Sequence, residues 1–264
     1  MDWLSILIAT AAVGCIGLII GLLLGLAAKK LEVKEDEKVS QILTLLPGNN
    51  CGGCGFAGCA DLAKAIAQGE ASAAACPVGG AAVSEEIGKV LGEEVSFVKK
   101  AAFVACSGNC NITDKKYDYY GEKNCELMDY VPGKGEKRCQ SGCLGYGSCV
   151  KVCTYDAIRI VDGVAEVSPE KCTACGKCAA VCPKHLIRII PAGTKVLLAC
   201  SSHDIGKNII KACEKGCIGC KKCERTCPKK AITVKNNLPE IDYSLCVGCG
   251  LCVKDCPRGV LIRK

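Results

Sequence analysis

Residues 217–228 read CIGCKKCERTCP, and the same C-x2-C-x2-C-x3-C-P pattern occurs again at residues 172–183 and 246–257. In this pattern the first three cysteines bind one [4Fe–4S] cluster, and the fourth, which precedes proline, binds the second cluster of a pair. Structural zinc sites use C-x2-C pairs separated by a longer loop, so zinc is the weaker interpretation. The pattern therefore predicts ferredoxin-like modules that hold two clusters each.

An internal repeat shows that two such modules lie in tandem. Six cysteines recur with an offset of 74 residues, and a repeat of this kind indicates two copies of one structural unit. Short apolar segments at residues 157–161 and 231–234 predict a strand at the same place in each copy. We expect an α+β fold with a first module at residues 139–198 and a second at 199–264.

Crossed binding of the fourth cysteine predicts the ligands of four clusters. The predicted sets are Cys217, Cys220, Cys223 and Cys256; Cys246, Cys249, Cys252 and Cys227; Cys172, Cys175, Cys178 and Cys153; and Cys139, Cys143, Cys149 and Cys182. The cysteine run that supplies the last set departs from the pattern, because its first three cysteines have C-x3-C-x5-C spacing and Thr154 replaces the usual proline after the fourth, Cys153. The sequence does not determine the geometry of this fourth cluster.

A fifth predicted cluster lies in residues 31–98, before the modules. Its ligands would be Cys51, Cys54, Cys59 and Cys76, spaced C-x2-C-x4-C with a distant fourth cysteine. The glycines around the first three allow a tight loop whose N–H groups point at sulfur. Apolar residues at helical spacing in 39–46 predict one helix before this loop, and the alanine-rich residues 60–75 predict a second after it.

Six cysteines remain, and four of them could form a sixth cluster. Cys106 and Cys200 each follow a similar apolar segment, AFVAC and VLLAC, and with Cys125 and Cys213 they make a four-thiol set. The alternative is that these are small buried apolar residues, as free cysteines often are. Cys106 and Cys125 fall in residues 99–138, which we expect to form a connecting segment with extra cysteines. Cys15 and Cys110 would be free.

The N-terminal segment, residues 1–30, is predicted to be a transmembrane anchor. Residues 3–28 carry no charge, and about 20 apolar residues are enough to span a bilayer as a helix. Lys29 and Lys30 follow the apolar run, which by the positive-inside rule places the N-terminus outside and the remaining chain in the cytoplasm. Because that compartment is reducing, the 26 cysteines are not expected to form disulfides.

Other function classes are excluded by what the chain lacks. The net charge is +7, but basic and aromatic residues do not interleave as a nucleic-acid surface requires, so no nucleic acid is expected. The sequence contains no phosphate-binding loop, nucleophile elbow or zinc-protease helix, and no catalytic residue is predicted. His185 and His203 are expected at the surface. The cysteines therefore predict electron transfer without a substrate site.

The order of these parts resembles the B subunit of the Rnf complex, a membrane-bound, ion-translocating ferredoxin:NAD oxidoreductase. The resemblance rests on the N-terminal anchor, the CGGCGFAGC motif at residues 51–59 with Cys76-Pro77, and the tandem modules. It implies a component of the cell membrane that accepts electrons from soluble ferredoxin and passes them to membrane partners, with flavin and nicotinamide on other subunits. A membrane-tethered redox adaptor for another enzyme or regulator, and a zinc scaffold, are the alternatives.

A basic surface on the second module is the predicted docking site for an acidic ferredoxin. Lys221, Lys222, Lys229 and Lys230 lie beside cluster ligands, and Arg225, Arg258, Arg263 and Lys264 are close in sequence. Such a surface raises the rate of encounter with an acidic partner, most strongly at low salt. The alternative is a solvated lysine face that only keeps the domain soluble.

Overall fold

The computed structural model describes residues 3–30 and 36–263. The helices are α1 (Trp3–Lys30), α2 (Glu37–Leu45), α3 (Cys59–Ala67), α4 (Gly80–Leu91), α5 (Ser148–Lys151), α6 (Lys177–Val181), α7 (Gly206–Ala212), α8 (Lys222–Thr226) and α9 (Leu251–Lys254). The strands are β1 (Lys100–Val104), β2 (Ile158–Val161), β3 (Val164–Val167), β4 (Ile187–Pro191), β5 (Val196–Leu198), β6 (Ile232–Lys235), β7 (Leu238–Ile241) and β8 (Leu261–Arg263). This content agrees with the predicted α+β class.

Helix α1 is a 28-residue helix with exposed apolar side chains. Leu18 is 75% exposed and Leu22 66% exposed. Over residues 3–30 and 36–263, no helix combines the length and the apolar character that crossing a membrane requires. The transmembrane anchor therefore stays a prediction.

Helices α2, α3 and α4 form a small domain around the CGGCGFAGC loop. Ile42 of α2 packs with Leu62 and Ile66 of α3 and with Ile87 of α4, and all four are almost fully buried. Asp36 caps α2 by accepting a 3.0 Å hydrogen bond from the Lys38 backbone N–H, which satisfies one free donor of the first turn. The helical domain is therefore a packed unit of its own.

Helix α3 is shorter than the sequence predicts. The predicted helix at residues 60–75 ends at Ala67, because the chain turns at Gly69, whose φ is +77°. Cys76 therefore reaches its site from a turn and not from the end of a long helix. Alanine content is a poor guide here, since helix propensity is easily overridden by local turn residues.

Each module is built from one hairpin and one pair of strands from its two ends. In the first module, β2 pairs with β3 and β1 pairs with β4, all antiparallel. The second module repeats this arrangement, with β6 paired to β7 and β5 paired to β8. Both modules therefore have the same topology, in which the first and last strands close the unit.

This pairing moves the module boundaries. Strand β1 lies inside residues 99–138, predicted as a connecting segment, and β5 lies before residue 199, the predicted start of the second module. Both boundaries drawn from the cysteines were placed too late. The apolar segments before Cys106 and Cys200 are these closing strands, so they belong to the modules.

The module cores consist of small aliphatic side chains and cysteines. In the second module Val196, Leu198, Val260 and Leu261 are buried together with cysteines on the same core. Two short backbone hydrogen bonds join the modules to each other, from Ser107 N–H to the Ala199 carbonyl at 3.0 Å and from Glu214 N–H to the Ile112 carbonyl at 3.0 Å. The two modules are thus directly in contact.

The helical domain gives a test of the fold. We expect Ile42→Ala to lower the free energy of unfolding of the helical domain (α2, α3 and α4) by about 2–5 kcal/mol, because the substitution leaves a cavity at a fully buried position. Hydrogen–deuterium exchange of the full chain would measure the effect. Leu43→Ala is the matched control, since Leu43 is 39% exposed; equal exchange in the two variants would contradict the described core.

Candidate metal centres

The structure gathers the cysteines into groups, which we name by position. The N-terminal set is Cys54, Cys59 and Cys76, with Cys51 added because it begins the same loop; the first outer set is Cys153, Cys172, Cys175 and Cys178; the first inner set is Cys125, Cys143, Cys149 and Cys182; the central set is Cys106, Cys139, Cys200 and Cys213; the second inner set is Cys217, Cys220, Cys223 and Cys256; and the second outer set is Cys227, Cys246, Cys249 and Cys252. Four of these sets, both inner sets, the central set and the second outer set, each line a cavity with all four members.

The second module brings its thiols together in the crossed arrangement that the spacing predicts. Cys217, Cys220, Cys223 and Cys256 line one cavity. Burial raises the pKa of Cys217 to about 11, and repulsion from Cys200 of the central set and from Cys256 and Cys220 adds to this shift. Burial also raises the pKa of Cys252, with further contributions from Cys227 and from Cys246 and Cys249. The fourth cysteine of each run therefore lies with the three cysteines of the other run.

The first outer set repeats this arrangement. Burial raises the pKa of Cys178 to about 11, followed by repulsion from Cys172 and Cys175 and, more weakly, from Cys153. Backbone N–H groups point at the sulfurs, as in iron–sulfur sites: that of Ala102 lies 3.3 Å from Cys172 Sγ, and that of Ala157 lies 3.4 Å from Cys153 Sγ. Strand β1 therefore contributes directly to this site.

The backbone takes the same turn before the short helix in each of the four cysteine runs of the modules, which begin at Cys143, Cys172, Cys217 and Cys246. The residue before the short helix has positive φ in each case: Gly147 (+79°), Gly176 (+81°), Lys221 (+58°) and Gly250 (+80°). This left-handed residue lets the chain curl back before the next cysteine enters the helix. Lys221 adopts a conformation that residues other than glycine seldom take.

The first inner set differs from the grouping drawn from the sequence. Burial raises the pKa of Cys149 to about 12, and the thiols that add most to this increase are Cys143 and Cys125, followed by Cys182. Cys139 is not among them. Tyr146 stands where the repeat has its second cysteine, and the Cys125 N–H donates to Ser148 Oγ at 3.1 Å, which holds this distant segment at the site.

Cys139 lies instead in the central set. Burial raises its pKa to about 12, and repulsion from Cys106, Cys213 and Cys200 follows. The repeat itself carries a signal for this placement, because the 74-residue offset also relates Cys139 to Cys213 and Cys143 to Cys217. Cys139 and Cys213 are therefore equivalent residues of the two modules.

The N-terminal set is held by its glycine-rich loop and by Asn50. Burial raises the pKa of Cys76, and Cys54 and Cys59 add to the increase. The Gly79 N–H donates to Cys76 Sγ at 3.3 Å, and Asn50 Oδ1 accepts from the Cys59 N–H at 2.8 Å. Cys51 is half-buried at the start of the same loop.

The remaining candidates lie apart from these sets. Cys15 and Cys110 are exposed. His185 and His203 are exposed too, and His203 Nδ1 lies 2.8 Å from the Asn236 carbonyl oxygen. In the part of the chain that the structure describes, no three His, Cys, Asp or Glu side chains form a site for a single metal ion. A [4Fe–4S] cluster has four irons, and each thiolate ligand binds one of them.

The basic residues of the second module differ in their exposure to solvent. Lys221, Lys222, Lys229 and Lys230 are exposed, as are Arg225 and Arg263. Arg258 is half-buried and donates to the Cys213 carbonyl at 2.8 Å, so it supports the chain at the central set and is not part of a free surface. Lys264 lies outside the described residues.

Three iron–sulfur families match parts of the chain. The Fe-S cluster family matches residues 46–78, the 4Fe-4S binding domain matches residues 165–188, and the 4Fe-4S dicluster domain matches residues 216–260. None of the four central cysteines falls in these ranges. Cys125 is outside them as well.

Curated relatives match over most of the chain. The B subunit of a Na(+)-translocating ferredoxin:NAD(+) oxidoreductase complex from Acetobacterium woodii is 45% identical over 90% of this chain and 72% of its own length. The B subunit of an ion-translocating oxidoreductase complex from Methanosarcina acetivorans is 42% identical over 90% of this chain and 91% of its own. The B subunit of a proton-translocating ferredoxin:NAD(+) oxidoreductase complex from Clostridium ljungdahlii is 40% identical over 87% and 82%. The chain therefore belongs to the family of B subunits of ion-translocating oxidoreductase (Rnf) complexes.

Proposed function

We propose that this chain is the iron–sulfur electron-transfer subunit of an ion-translocating ferredoxin:NAD oxidoreductase complex. The observation that carries the proposal is the gathering of nineteen cysteines into the N-terminal, outer and inner sets, with Cys51 at the start of the N-terminal loop. Each set would hold one [4Fe–4S] cluster, giving five clusters. When bound, such clusters supply one-electron redox chemistry at potentials set by charge, hydrogen bonding and exposure.

The thiol environment fits this cofactor. Burial and mutual repulsion raise the pKa of Cys149 to about 12 and of Cys223 to about 11, so several thiolates cannot gather there without a compensating cation. The cationic iron–sulfur core supplies that compensation, as metals do for coordinating thiols. Backbone N–H groups aimed at Cys153 and Cys227 then stabilise the charge that remains on sulfur.

We assign α1 to the membrane. The uncharged run at residues 3–28 has the length of a span, and its described apolar side chains, such as Leu18, have no protein cover in this chain. Lys29 and Lys30 orient the segment with its N-terminus outside and the iron–sulfur domains in the cytoplasm. The helical domain begins at α2, so the N-terminal set is the one attached closest to the membrane along the chain.

Soluble ferredoxin would dock on the second module. Cys249 of the second outer set and Cys220 of the second inner set are exposed. Exposed lysines adjoin these sites, and exposed Val247 and Leu251 add an apolar patch beside Cys249. Basic charge around a partly apolar centre fits an acidic protein partner. The electrons would leave toward membrane subunits and subunits that carry flavin and nicotinamide.

Crossed binding in the second module makes a specific prediction. We expect Cys227→Ser to damage the cluster of Cys246, Cys249 and Cys252, because Cys227 lies with them, and to spare the cluster of its sequence neighbours. Electron paramagnetic resonance of the reduced, anaerobically purified protein would show which signal is lost. Loss of the Cys217 cluster alone would contradict the assignment.

The first inner set predicts a rescue experiment. Cys125→Ser should remove about one cluster's worth of iron, four atoms, because Tyr146 occupies the place of the fourth thiol. The double variant Cys125→Ser/Tyr146→Cys recreates C-x2-C-x2-C spacing at residues 143–149 and should regain that iron. Cys110→Ser is the control and should lose none. Full iron in Cys125→Ser would remove Cys125 from the ligands.

The docking surface is tested by charge reversal. Changing Lys221, Lys222, Lys229 and Lys230 to Glu should slow reduction by ferredoxin about tenfold or more at low salt, since steering can raise association rates by 10–10³. Iron content should not change. Reversal of exposed Lys64, Lys89, Lys99 and Lys100 alters the net charge equally and is the matched control. Equal rates for both variants at all salt concentrations would place the entry site elsewhere.

A further inference from the structure

We infer that the central set, Cys106, Cys139, Cys200 and Cys213, holds a sixth [4Fe–4S] cluster that bridges the two modules. The inference rests on the proposed electron-transfer function and adds to it a site that no matched family covers. Two ligands come from each module, which distinguishes this site from the other five.

The four sulfurs face a common space. All four cysteines line one cavity, and three of them are buried or nearly so. A Cβ atom placed on Gly108 would lie 3.5 Å from Cys106 Sγ and 3.8 Å from Cys213 Sγ, so sulfurs from the two modules approach the same point. Cys139 packs against Cys213 in one apolar cluster with Ile209.

Backbone donors surround these sulfurs as they do at the other sets. Cys106 Sγ accepts from the N–H groups of Gly108 at 3.3 Å and Cys143 at 3.4 Å. Cys200 Sγ accepts from the Cys217 N–H at 3.4 Å. A buried thiol that served only as an apolar side chain would have no need of two aligned N–H donors, whereas a thiolate ligand is stabilised by them.

A buried cation adds to this environment. Lys137 is 6% exposed, and its Nζ donates to the carbonyl oxygens of Gly108 at 2.9 Å and Gly163 at 2.8 Å. Its positive charge lowers the pKa of Cys106 and Cys143, although burial outweighs it at both thiols. Lys137 is thus placed to stabilise negative charge on the central and first inner sets together.

The same contacts connect the sets in a fixed order. The backbone N–H of Cys143 in the first inner set donates to Cys106 of the central set, and that of Cys217 in the second inner set donates to Cys200. At the other end, a Cβ on Gly53 would lie 2.5 Å from the Cys175 carbonyl oxygen, so the N-terminal loop rests on the first outer set. Asn49 reinforces this contact through a 3.1 Å hydrogen bond to Tyr155 Oη.

Within each module the outer and inner sets are linked because each cysteine run supplies ligands to both. The order is then second outer, second inner, central, first inner, first outer and N-terminal. Electrons donated by reduced ferredoxin at the second module would pass one at a time along this order to an acceptor at the membrane. The central cysteines contact both inner sets. Without a cluster in the central set, the electron-transfer path would therefore be interrupted between the two modules.

Iron analysis of the intact, anaerobically purified chain tests the inference. Six clusters give about 24 irons and as many sulfides, and five give about 20. The double variant Cys139→Ala/Cys213→Ala, which removes one ligand from each module, should lose about one sixth of the iron and of the integrated spin after full reduction. Cys15→Ala/Cys110→Ala should lose neither.

The outcomes separate this inference from the proposed function. About 20 irons in the unchanged chain, all as [4Fe–4S], would overturn the bridging cluster and leave the proposed function standing, whether or not the variant folds. Full iron in the folded Cys139→Ala/Cys213→Ala variant would also overturn it. A chain that binds zinc in place of clusters would overturn the proposed function itself.

Discussion

Groups of buried cysteines, whose thiolate forms would repel one another, are the constraint on which this structure depends. Within the modules, cysteines from separate segments face shared cavities, and burial raises the pKa of Cys139 and Cys149 to about 12. Thiolates at such positions need a cation between them, and an iron–sulfur core provides it. With aromatic residues at only 4% of the chain, the cofactor replaces the large side chains of an ordinary core.

The strands and helices follow from this requirement. Two-stranded sheets and helices of four or five residues are too small to be stable alone, and they serve mainly to place cysteines around the cavities. Strand pairs β1–β4 and β5–β8 close each module so that the crossed cysteines meet. Cys106, Cys139, Cys200 and Cys213 line one cavity between the modules, so a cluster bound there would make the junction part of the redox site and not only a packing surface.

The parts of the site that repeat with regular spacing could be predicted from the sequence, whereas the fold could be predicted less precisely. The crossed sets of the second module and the first outer set follow from C-x2-C-x2-C-x3-C-P, because short spacing fixes which thiols share a cluster. Cys125 could not be assigned this way, since it reaches its set from a segment without periodic pattern.

Both module boundaries were drawn from the cysteines and missed β1 and β5, because pairing between strands that are about 65 to 90 residues apart leaves no local signature. Cys139 was misplaced for a related reason, since its partners Cys200 and Cys213 lie in the other module.

The central claim is that the cysteine sets hold [4Fe–4S] clusters and no other metal. Mössbauer spectroscopy of the ⁵⁷Fe-enriched, anaerobically purified chain tests it most directly, because the spectrum distinguishes cubic clusters from isolated iron. We expect essentially all the iron to be present as [4Fe–4S] clusters that accept electrons on reduction. Iron in single-ion sites, or zinc in stoichiometric amounts with little iron, would contradict it.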